Sequence, residues 1–193
     1  MIPNYLTDLQ LPQVFSAYCN YIDPYIFGAT GNKHIVDSES QKISGFVSPA
    51  FGQVEDAAQK YFSVENQSSC PYALIQVDNA IIQSSTTQKC DCIVANHRCL
   101  CFIEFKANAI SGKITAIEKN YKKAIAQIEA TMNLFIAHFT AQGIDFRTLR
   151  SVEAFICFRH GYPKYTSSQM NYRVAFASAN GGIPLSFSRK KIL

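Results

Sequence analysis

The sequence predicts an α/β fold, a mixed β-sheet flanked by helices, and three observations carry that prediction. Short β-like runs cluster between Tyr72 and Lys106. A long segment follows in which apolar residues return every three or four positions: Ile114, Ile117, Tyr121, Ala124, Ile128, Met132, Phe135 and Phe139. Another β-like run, SVEAFICF, occupies residues 151–158. Strands and helices in that order make a layered sandwich.

The chain has 193 residues, enough for one domain over 1–193. Its 48% hydrophobic and 17% charged content excludes a disordered chain. Lys plus Arg number 18 against 14 Asp plus Glu, a net charge of +4 compatible with a polyanionic partner. No apolar run approaches the ~20 residues of a membrane span, so no membrane partner is expected. The opening MIPNYLTDLQLPQ has neither a basic n-region nor an apolar h-region. Seven cysteines, an odd number without a disulfide-scaffold spacing, read as free thiols in a reducing cell. The expected compartment is the cytoplasm.

In chain order, the aromatic-rich residues 1–27 are predicted to form a partly buried helical segment. Residues 28–48, polar and aperiodic, read as a long loop. Gln53 to Phe62 places Val54, Ala57, Ala58, Tyr61 and Phe62 on one stripe of a short helix. Tyr72 to Val77 reads as a strand, extended by Ala80-Ile81-Ile82 after a turn at Asp78-Asn79. Residues 89–95 and 99–106 make a hairpin, with Asn96-His97 as its turn because Asn tolerates positive φ. The long helix runs from Lys113 to Thr140 and is closed by Gly143. Tyr172 to Ala177 reads as a last strand.

Alternation separates the faces of the hairpin. With that turn, Cys92 opposes Cys101 and Asp91 opposes Phe102. One face carries Cys90, Cys92, Val94, Cys99, Cys101, Ile103 and Phe105, all apolar, and is expected to pack on the long helix. The other carries Ile93, Leu100 and Phe102, with Asp91, Glu104 and Lys106 gathered at its far end. Asp91 lies diagonal to Glu104, at ~7–8 Å, and Lys106 follows on the same face. Burying such charges is costly unless they are paired or hold a metal. Two carboxylates suit a hard divalent cation, Mg²⁺ or Mn²⁺, and a nearby lysine suits a phosphate. This is the chemistry of metal-assisted phosphodiester hydrolysis.

The Asp91…Glu104-Phe105-Lys106 arrangement resembles the D-(x)n-ExK signature of the PD-(D/E)xK nuclease superfamily. The α-β-β-β-α-β order of residues 53–158 is similar to that superfamily's restriction-endonuclease-like core, leaving extensions at 1–52 and 159–193. The resemblance implies Asp91 and Glu104 as metal ligands, Lys106 as the catalytic lysine, and the backbone carbonyl of Phe105 as an additional ligand. It also implies an acidic residue on the first core helix, Glu55, with Asp56 as the less well-placed choice. Gln127 falls where several branches carry a polar residue facing the site. Cys90 stands before Asp91 where the signature has Pro, and Gln127-Ile128 is followed by Thr131 rather than by the Tyr of the RecB-like branch.

Other features have plainer readings. Cys90-x-Cys92 and Cys99-x-Cys101 lack the C-x₂-C spacing of zinc knuckles and read as small buried hydrophobes. The four histidines have no metal-binding spacing. Lys113, Lys119, Lys122 and Lys123 would form a positive rim at the start of the long helix. Arg159 and Lys164, interleaved with Tyr162 and Tyr165, suit phosphate contact and base stacking, and Ser188 to Lys191 forms a small basic tail. The expected activity is a metal-dependent nuclease acting on DNA rather than RNA. The alternative is an inactive nucleic-acid-binding or assembly subunit of the same fold. Cutting both strands of a duplex with one site per chain would favour a homodimer.

Overall fold

The computed structural model describes residues 1–47, 60–107, 109, 111–159, 162 and 166–193. They form a mixed α/β structure with two mixed sheets. The larger sheet has six strands: β1 (Ile26–Ala29), β5 (Tyr72–Gln76), β6 (Cys92–Ala95), β7 (Cys99–Lys106), β8 (Ser151–Phe158) and β9 (Leu185–Ser186), in that spatial order. β5, β6 and β7 are an antiparallel meander. The helix α2 (Ile114–Thr140) then crosses over so that β8 returns parallel to β7. The smaller sheet has the order β10 (Lys190–Ile192), β4 (Tyr61–Glu65), β2 (Lys33–Ser38), β3 (Ile43–Phe46). Two further helices are α1 (Leu11–Val14) and α3 (Thr166–Ala179).

α2 forms where the apolar period predicts it. Ile117, Tyr121, Ala124, Ile128, Met132, Phe135 and Phe139 are buried, while Ile114 at the first turn is 55% exposed. The helix stops because Gly143 takes φ 73°, letting Ile144 N donate to Phe139 O at 2.9 Å. Its buried stripe packs on Ile93, Leu100 and Phe102 of the larger sheet together with the N-terminal residues Leu6, Leu9, Leu11 and Phe15. Phe135 sits edge-to-face on Phe15 (5.8 Å) and Phe102 (5.4 Å), joining three elements. Phe135→Ala is expected to cost about 3–5 kcal/mol in a urea unfolding curve.

Several expectations change. The cysteine-bearing face packs on the smaller sheet, with Cys92, Val94, Cys101 and Ile103 against Ile35, Phe62 and Val64, and α2 covers the opposite face. The larger sheet is thus flanked by helices on one face and by strands on the other. Residues 28–48 contribute β1, β2 and β3 rather than a loop. The paired runs are only four to six residues long, too short for alternation to stand out. The predicted helix over 53–62 falls mostly outside the described residues, and its last members, Tyr61 and Phe62, open β4.

Ala80, Ile81 and Ile82 are buried but do not extend β5. Asn79, at φ 55°, turns the chain so that Ile82 N donates back to Val77 O at 2.9 Å. Tyr172 to Ala177 lies inside α3. The alternation there is accidental, because the helix buries Gln169 and Phe176 and leaves Val174 60% exposed. The basic tail is built into the smaller sheet. Lys190 pairs with Glu65 at 2.7 Å, Lys191 pairs with Glu153, and Arg189 lies 5.5 Å over the Tyr61 ring.

Candidate active site

The hairpin sets the site. Asn96 Oδ1 accepts from Arg98 N (2.8 Å) and Cys99 N (2.9 Å), a side-chain turn that makes the connection longer than the predicted one. Ala95 therefore pairs with Leu100 and Cys92 with Ile103, two residues away from the expected register. A slip of two keeps the residues of β6 and β7 on their faces, whereas Cys90, expected beside Cys92, precedes β6 and packs on the α2 side. The slip brings Asp91 level with Glu104 rather than diagonal to it, with Asp91 N donating to Ile103 O at 3.2 Å. Just before it, Cys90 N donates to the buried Thr131 Oγ1 at 2.9 Å, which ties this end of the hairpin to α2.

Both carboxylates are buried: Asp91 is 6% exposed and Glu104 1%. Asp91 Oδ2 accepts from Phe105 N at 2.5 Å. In an extended strand the N–H and C=O of one residue point the same way, so the Phe105 carbonyl also faces Asp91. Glu104 Oε1 accepts from Lys106 Nζ. Its other oxygen, Oε2, is buried without a hydrogen-bond partner. Lys106 Nζ donates to Gln127 Oε1 on α2 at 2.8 Å, and Gln127 Nε2 donates to the Lys89 carbonyl at 3.1 Å. Lys89 Nζ in turn pairs with Asp78 Oδ1 at 3.1 Å.

Electrostatics follow from that burial. Desolvation pushes the Glu104 carboxyl up to about 7, against the pull of the Lys106 ammonium and with Asp37 and Asp78 adding to the rise. Asp91 is pushed well above the usual carboxylate range by desolvation and then by Glu104 and Asp37, while the Phe105 N–H and Lys106 pull it down. Asp37, on β2, is raised by desolvation and by Asp78, with Ser44 and Lys106 opposing. Asp37, Asp91 and Glu104 are thus raised by neighbouring carboxylates, Asp78 among them, with Lys106 opposing at all three and Lys89 paired with Asp78.

The structure brings together Asp91, Glu104, Phe105, Lys106 and Gln127. Arg159 follows Phe158, the strand partner of Lys106, and lies half-buried at the same end of the sheet. Lys113, which caps the start of α2, and Lys122 on the helix are exposed. Glu55, Asp56 and Lys164 lie outside the described residues. Among the described residues, no three His, Cys, Asp or Glu side chains form a group that could hold a metal ion. Asp37, Asp78 and Lys89 escape the sequence reading. Asp37 falls in the segment read as loop, and Asp78 looks like an ordinary turn residue. The run HIVDS within β2 is the one available signal, since it puts an acid directly after a buried β-branched pair.

No protein-family model matches the chain, and neither a curated protein nor a solved structure is significantly similar to it. Among the described residues, no helix is long and apolar enough to cross a membrane.

Proposed function

We propose that this chain is a divalent-metal-dependent nuclease of the restriction-endonuclease-like fold, hydrolysing phosphodiester bonds in DNA rather than RNA, in the cytoplasm and as a homodimer. The observation that carries the reading is Glu104: 1% exposed, one oxygen on Lys106, the other unpartnered, and a second buried carboxylate alongside. A buried acceptor left unmade costs about 1–3 kcal/mol or more when charged, and a hard cation removes that cost. The donor set is all oxygen, as Mg²⁺ or Mn²⁺ requires: Asp91, Glu104 and the Phe105 carbonyl, with Glu55 as the acid expected from the preceding segment. The meander β5–β6–β7, the crossover α2 and the parallel β8 follow the β-β-β-α-β part of the expected order and support the reading.

A divalent ion bound there supplies an acidified water and neutralises charge on the phosphate. The chain's own part is positioning. Glu104 and Gln127 clamp the Lys106 ammonium from two sides, leaving its third proton for a phosphate oxygen or for the attacking water. Gln127 fixes that clamp to α2 and to the Lys89 backbone.

The second reading, a nucleic-acid-binding or assembly subunit without activity, is favoured by the lack of a three-ligand acidic group among the described residues. One experiment separates the two. Plasmid, linear duplex, single-stranded DNA and RNA are incubated with the protein in Mg²⁺, Mn²⁺ or EDTA. The nuclease reading expects cleavage of DNA that EDTA abolishes. Binding without cleavage in any metal supports the subunit reading.

A further inference from the structure

A cavity of about 320 Å³ opens between the 78–89 segment and α2, sharing Gln127, the partner of Lys106, with the site. Its walls include Asp78, Ser85, Thr86, Thr87, Lys123 and Gln127. We propose that this cavity seats the sugar–phosphate unit next to the scissile bond, with Lys123 as its phosphate contact. The inference rests on the nuclease reading of the neighbouring site and adds to it a direction for the bound strand.

The size lies at the small end of ligand pockets, which run from ~300 to ~1,000 Å³. The lining is hydroxyl, amide and ammonium with one carboxylate, Asp78, and no aromatic wall on which a base would stack, so it suits the backbone rather than the base. Its charge balance favours an anion. Asp78 is neutralised by Lys89, whose ammonium is further held by the Ser84 carbonyl. Lys123 has no carboxylate within ion-pair distance among the described residues. The cavity therefore presents one uncompensated positive charge among donors.

Position gives the direction. Lys123 and Gln127 are i and i+4 on α2, neighbours on one face at ~5–6 Å between Cβ atoms. Gln127 is also the residue that accepts from Lys106. A strand with its scissile phosphate at Lys106 thus continues past Gln127 toward Lys123, away from β8.

The test is steady-state cleavage and equilibrium binding of a fluorescent DNA oligonucleotide by wild type, Lys123→Glu and Lys33→Glu. The last makes the same charge change on an exposed side chain of β2, outside the cavity lining. Lys123→Glu is expected to raise KM about tenfold, leave kcat within about twofold, and lower the salt slope of binding by about one. Lys33→Glu is expected to change KM by less than about threefold. Equal effects from the two variants, or a fall in kcat at constant KM, would overturn the assignment. If wild type cleaves nothing, binding in EDTA decides. Selective weakening by Lys123→Glu then upholds the cavity while the hydrolase reading fails, and equal affinities reject the cavity as well.

Discussion

Lys106→Ala is expected to lower metal-dependent cleavage by about 10²- to 10³-fold, the usual consequence of removing one preorganised donor from a site of developing charge. The side chain is half-buried and its ammonium is held by Glu104 Oε1 and Gln127 Oε1. It cannot swing away, so its donor is already aimed before substrate arrives. The same substitution strips Glu104 of the cation that opposes its desolvation, and the variant loses stability at alkaline pH. Lys106→Arg separates the two roles. It restores the charge and the fold, yet its planar fork does not reproduce a single ammonium donor, so activity stays low. A lysine that served only as a structural counter-ion would be rescued by arginine. Cleavage rates measured beside thermal melts of all three proteins check this.

Glu104→Gln is expected to abolish cleavage and, without divalent ions, to make the protein more stable at pH 8. The sign follows from the raised carboxyl. The Glu104 carboxyl sits at about 7 in the folded protein against an ordinary 4.5. Between those values the folded state holds a proton that the unfolded chain has released, so stability falls as pH rises through that window. The full difference corresponds to roughly 3 kcal/mol at pH 8, an upper figure for a buried group. Glutamine keeps the shape, carries no charge, and removes that loss. Urea melts at pH 5 and 8 should therefore converge on a smaller pH dependence in the variant. The part that remains belongs to Asp91 and Asp37, whose carboxyls are raised for the same reason. Added Mn²⁺ should stabilise wild type at pH 8 and leave Glu104→Gln little changed.

How much of this was legible beforehand depended on whether a signal was local. α2 announces itself through a seven-turn apolar period, and β7 through CLCFIEFK, so both elements stand where the sequence predicts them. Asp91, Glu104 and Lys106 share one end of the sheet because strand alternation survives a register slip of two. The slip itself was invisible, since it depends on Asn96 capping two backbone amides. Which face meets α2 was also beyond reach. Both faces of β6 and β7 are apolar, and only the presence of a second sheet decides the matter. That second sheet is assembled from short strands near the two ends of the chain, with β10 completing β4 in parallel. Its pairing is long-range and leaves little local trace. Asp37 reaches the carboxylate group by way of that sheet.

The most direct measurement is the rate of supercoiled-plasmid cleavage as a function of Mn²⁺ concentration, at pH 6 and pH 8, for wild type and Asp91→Asn. Proton and metal compete for carboxylates that are raised above their usual range, Glu104 to about 7, so half-saturation should require more Mn²⁺ at pH 6 than at pH 8. Asp91→Asn should shift half-saturation at least tenfold at pH 8. Cleavage that ignores metal and pH, or folded wild-type protein that cleaves at no Mn²⁺ concentration, would contradict the assignment of Asp91 and Glu104 to a divalent-cation site for phosphodiester hydrolysis.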